Sequence, residues 1–126
     1  MPKTVHNDVL DGAFAILTTN AVKMTICNTP PTSYTEAVVT YCLASFTISG
    51  ANYTGPADGD TSGRKLTVNA QTGGAVLASG DARWITLCSN LAGNKLYYIT
   101  SCTTQTLTSG NTVNTPAWKI EIADPV

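Results

Sequence analysis

The last third of the chain constrains its fold more than any other part. From Ala82 to Ala123 it reads ARWITLCS, a loop, KLYYITSC, a short linker and QTLTSGNTVNTPAWKIEIA. Trp118, Ile120 and Ile122 alternate with Lys119 and Glu121. A period of two puts the apolar side chains on one face of a strand and the charges on the other. The segment therefore predicts a sheet with one buried face, and the rest of the chain has to supply what covers it.

With 126 residues the chain is long enough to bury a core as one domain, 1–126, without metal or disulfide staples. Charged residues make up 12% of it, about half the usual share. Polarity comes instead from Ser, Asn and above all Thr, which pleated sheets accept well. A net charge of −1 offers no electrostatic footprint for nucleic acid or for an anionic membrane. Such a neutral surface suits packing into an assembly, and a homo-oligomer is expected. No apolar run approaches the roughly 20 residues of a bilayer span. Asp8 and Asp11 interrupt what would be the apolar part of a secretory signal, so synthesis in a cytoplasm is expected.

Asn7–Asn20 is the one convincing helix: Asn7 or Asp8 can cap it, and Asp8 and Asp11 suit the positive end of its dipole. Val9, Leu10, Ala13, Phe14, Ile16 and Leu17 form a stripe broad enough to be buried along most of one side. Strands are predicted at Ala21–Cys27, Ser45–Ser49, Arg64–Ala70, Ala75–Ala78, Ala82–Ser89, Lys95–Cys102, Gln105–Leu107 and Ala117–Ala123. Asn28-Thr-Pro-Pro31, Thr72-Gly-Gly74, Ser79-Gly-Asp81, Asn90–Asn94, Ser109-Gly-Asn111 and Asp124-Pro125 punctuate them. Tyr34–Leu43 reads as a loop with one helical turn, and the Gly-, Pro- and Asp-rich Gly50–Gly63 as an exposed loop. About seven strands at this spacing predict a mainly β fold, a two-layer antiparallel β-sandwich with the N-terminal helix packed on it.

Residues that could carry chemistry are few. His6, the only histidine, stands at the start of the helix and reads as a surface residue. Asp58-Gly-Asp60-Thr-Ser-Gly63 is the nearest approach to a cation loop, but it lacks the full spacing and the closing Glu, so a tight turn is the better reading. Arg64 and Lys65 beside it are expected to neutralise these acids or a neighbouring subunit. Glu36, Asp81 and Glu121 fall in a loop, a turn and a polar strand face, with nothing to pair two of them for hydrolysis. Tyr97 and Tyr98 are consecutive, hence on opposite faces, one in the core and one exposed; Trp84 and Trp118 also fall on strands. Cys27, Cys42, Cys88 and Cys102 contain no C-x-x-C pair. They read as free, mostly buried thiols, with two disulfides as the alternative. No catalytic, cofactor-binding or metal residue is assigned.

Four phrases carry a resemblance: HNDVLDGA at 6–13, PTSYTEA at 31–37, DGDTSGRK at 58–65 and LTSGNTVNTPAWKIEIADP at 107–125. Together they resemble a family of small structural proteins of tailed bacteriophages and prophages, over nearly the whole chain. The resemblance implies a non-enzymatic virion component and transfers no catalytic residues. Among virion roles a capsid decoration (cement) protein is expected. It would be made in the host bacterial cytoplasm and bind the major capsid protein through 50–63 and the N-terminal segment 1–8. A tail, neck or tail-fibre-associated component is the runner-up. A carbohydrate-binding module using Tyr97 or Tyr98 and Trp84, and a hydrolase built on acids such as Asp58 and Asp60, represent other classes.

Overall fold

The computed structural model describes residues 5–89 and 95–123. The Asn90–Asn94 loop, the Asp124-Pro125 stop and residues 1–4 of the N-terminal segment lie outside them. The fold is mainly β, a sandwich of two antiparallel sheets with one N-terminal helix. In chain order the elements are α1 (Asn7–Asn20), β1 (Lys23–Cys27), a π-helical turn (Glu36–Thr40), β2 (Cys42–Thr47), a 3₁₀ turn (Gly50–Asn52), β3 (Tyr53–Asp58), β4 (Arg64–Val68), β5 (Gln71–Val76), β6 (Gly80–Cys88), β7 (Leu96–Leu107), β8 (Thr112–Thr115) and β9 (Trp118–Ile122). One sheet has the order β7-β6-β1-β2-β5-β8, the other β3-β4-β9.

The alternating C-terminal strand lies where its pattern requires. β9 pairs with β4, setting Leu66 against Ile120 and Val68 against Trp118. Leu66, Val68 and Ile120 enter a core shared with Met24, Ile26, Phe46 and Leu87 of the larger sheet. The helix adds Phe14 and Leu17, and the Tyr53 hydroxyl donates to the Ala21 carbonyl at 2.8 Å, fastening β3 to the helix end.

Several expectations need correction. Thr72-Gly-Gly74 is not a turn ahead of a strand at Ala75–Ala78 but lies within β5, which runs Gln71–Val76. Gly50–Gly63 is not one exposed loop: it holds the 3₁₀ turn and β3, whose Tyr53 is buried, because pairing with β4 at Tyr53–Thr54 and at Ala57–Asp58 carries the strand past an irregularity at Gly55 and Pro56. Tyr34–Leu43 ends in a strand, β2 starting at Cys42 where Ser45 was expected. Gln105–Leu107 is the end of β7, and Thr112–Thr115 is a strand that its polar composition concealed. Only Leu10, Phe14 and Leu17 of the helix stripe are buried, while Val9 and Ile16 are 65% and 51% exposed. The N-cap is His6, whose Nδ1 accepts from the Asp8 amide at 3.1 Å, one residue earlier than expected.

The larger sheet is also dry on both faces at its centre, where a single buried face was expected. Segment 34–40 packs across it, Tyr34 and Ala37 clustering with Cys88, and the Cys27 thiol donating to the Ala37 carbonyl. Thr25 and Thr86, polar positions of β1 and β6, are consequently fully buried.

Candidate functional site

The acidic stretch 58–63 is a tight turn held down by cations. The Gly59 amide donates to the Gly63 carbonyl at 2.9 Å, closing it. Gly63 adopts φ +70, and a Cβ there would meet the Ile122 carbonyl oxygen at 1.8 Å, so only glycine fits. Lys65 and Lys119 both bond to Asp60, and their donated hydrogen bonds hold its carboxyl at about 2. Glu121 accepts the Thr61 amide at 3.0 Å, which lowers it below the usual carboxylate range. Arg64 lies under the turn with 16% of its side chain exposed. It grips Asp11 of α1 with two bonds, Nε–Oδ1 2.8 Å and Nη2–Oδ2 3.2 Å, and reaches Asp58 at 2.8 Å. Arg64 and Lys65 thus neutralise these acids within the chain. Among the described residues no group of three or more metal-ligating side chains comes together.

The remaining candidates are dispersed. His6 is a helix cap. Glu36 accepts from the Thr32 amide and hydroxyl at 2.8 and 2.7 Å, bonds that lower its carboxyl and brace the π-helical turn. Asp81 pairs with Arg83 at 3.7 Å and accepts from Thr106. Cys27, Cys42, Cys88 and Cys102 are free thiols, the first three buried. Burial pushes Cys27 up to about 12 against the pull of its Thr25 hydrogen bond, and raises the other three as well. These are poor nucleophiles.

The aromatics correct the expectation that one tyrosine is core and the other exposed. Tyr97 and Tyr98 are both half-buried against the core, and Tyr98 stacks on Trp118 with ring centroids 6.0 Å apart. Trp84 is half-buried on β6, away from that pair.

The structure adds concavities that the sequence did not announce. A cleft of about 440 Å³ opens between β7 and the 113–119 segment, floored by Ile26, Ala82, Ile85 and Leu107. A bulge shapes it: Ala82 pairs with Gln105 and Trp84 with Ser101, so Arg83 alone opposes Cys102–Thr104. Bulges of this kind interrupt an edge and re-aim side chains. The period of two cannot reveal such an insertion in advance.

Comparison with protein-family models, with curated proteins and with solved structures found no match to this chain.

Proposed function

We propose that the protein is a structural component of a tailed-bacteriophage virion, a decoration protein that binds the major capsid protein and reinforces the shell. The reading starts from the resemblance of the four phrases above. One observation supports it above the rest: Arg64 anchors the turn of segment 50–63, nominated for shell contact, to the helix by tying Asp58 to Asp11. The outer stripe of α1, with Val9 and Ile16 exposed, lies on that helix. An exposed apolar stripe of this kind is a surface that association would cover.

The test uses purified particles. Mass spectrometry of separated heads and tails should find the protein in heads. Val9→Asp and Ile16→Asp should leave folding intact and abolish addition of purified protein to stripped heads. Recovery in tails alone would favour the neck or tail role instead. Undiminished addition of both variants would exclude the helix face.

A further inference from the structure

We infer that the outer edge of β7 is where two copies of this chain join, pairing antiparallel so that the six-stranded sheet of one runs on into that of the other. Among the described residues four strands stand at sheet edges: β7 and β8 in the larger sheet, β3 and β9 in the smaller. An open edge offers a row of unpaired N–H and C=O groups, and charges, Pro, irregularities or short length usually guard it. Three of the four are guarded. β3 carries Pro56 and a break in register between Thr54 and Ala57. β8 is only four residues long, and β9 bears Lys119 and Glu121. β7 is the exception. It runs twelve residues, Leu96–Leu107, without a charge, a Pro or a Gly. Among the described residues no backbone hydrogen bond ties it to any element but β6.

The shape of the edge selects the stretch, and its chemistry selects the partner. The bulge at Cys102–Thr104 spoils the far half, whereas Tyr98–Ser101 keeps one unbroken register with β6. Along that near half Leu96, Tyr97, Tyr98 and Ile99 are only half-buried, and the stack on Trp118 already fixes Tyr98. Aromatic and apolar side chains held in place suit the core of an interface. A twofold pair has to present a surface that matches itself. No charged residue occurs from Leu96 to Trp118, so the two edges meet without repulsion. A charged strand from elsewhere would find nothing there to pair with. Running antiparallel, with the axis at Ile99 or Thr100, sets Lys95, the nearest charge, opposite Thr103 or Gln105 of the second copy. A parallel pair would instead bring Lys95 against Lys95.

The contact lies on β7 and not on α1 or the 58–63 turn, so this reading and the shell-binding one can fail separately. The full chain is followed by sedimentation velocity over a concentration series from micromolar to millimolar, with amide hydrogen exchange measured at both ends of the series. A reversible monomer–dimer equilibrium is expected, with protection gained on dimerisation at amides within 97–101. Ile99→Lys puts a charge in the middle of the contact. Ser101→Lys does so at an exposed position, and keeps the test valid if Ile99→Lys does not fold. Each should weaken dimerisation roughly tenfold or more, because the added charge loses water in the pair. Val9→Asp, on the helix, should leave the dimer as it was. A monomer at every concentration would overturn the inference and leave the edge to a foreign strand. So would a trimer or larger ring, protection gained only outside β7, or a dimer that the lysine variants leave intact.

Discussion

Thr25 and Thr86 show how much a single pair of side chains depends on its cover. They face each other across β1 and β6, their hydroxyls bonded to one another, with Cys27 and Cys88 as outer neighbours. Both are fully buried. Removing one hydroxyl leaves the other short of a partner in a dry site, at a cost of about 1–3 kcal/mol, whereas removing both can be close to neutral. Thr25→Val and Thr86→Val should therefore each destabilise the protein, and the double variant by less than their sum. Urea unfolding in a double-mutant cycle measures the coupling, and strict additivity would show that the pair contributes nothing. Gly63 makes the complementary case, where the backbone decides. Gly63→Ala must give up φ +70 or displace Ile122 of β9, so a loss of at least about 1–3 kcal/mol is expected in the same assay.

At the scale of elements, α1 is held by one narrow stripe, the Arg64–Asp11 ion pair and the Tyr53 hydroxyl at its C-terminal end. Phe14 is 1% exposed within the shared core. Phe14→Ala should cost about 3–5 kcal/mol, read as a lowered urea midpoint, while Val9→Ala should change it little. The helix bounds were legible because a 3.6-residue period, a polar start and a Thr-Thr-Asn end agree on Asn7–Asn20. β9 was legible for the same reason in its own period. The strands that were missed, β3 and β8, are built from Thr, Gly, Asn and Pro, and are made strands by their neighbours β4 and β5. The two-sided burial of Thr25 was out of reach for a different reason. It arises from a 34–40 segment distant in sequence from β6, and alternation within one strand says nothing about what covers its second face. The pairing of Asp58 and Asp60 with Arg64 and Lys65 could be read locally, whereas the bonds to Asp11, Lys119 and Glu121 join residues far apart in sequence and could not. The cleft could not, because it needs a bulge in β7 and a wall from 113–119.

For the whole molecule, pH is the most general probe. Asp60 is held at about 2 by Lys119 and Lys65, and Glu36 and Glu121 are lowered by hydrogen bonds from Thr32 and Thr61. A carboxyl lowered in the folded state binds fewer protons there than when unfolded. Its contribution is present above its unfolded value, near 4, and disappears as pH falls toward the folded value. Thermal midpoints should therefore be flat from pH 7 to 5 and decline between about pH 4 and 2. Asp60→Asn should flatten that decline, and an unchanged acid limb in the variant would remove Asp60 as its cause. The ions concerned are exposed, so added salt should shrink the effect.

The layer formed by residues 34–40 gives the molecule a back. The centre of that face of the larger sheet is shut off from contact, and whatever approaches from this side meets the layer itself, on which Val39 stands 69% exposed.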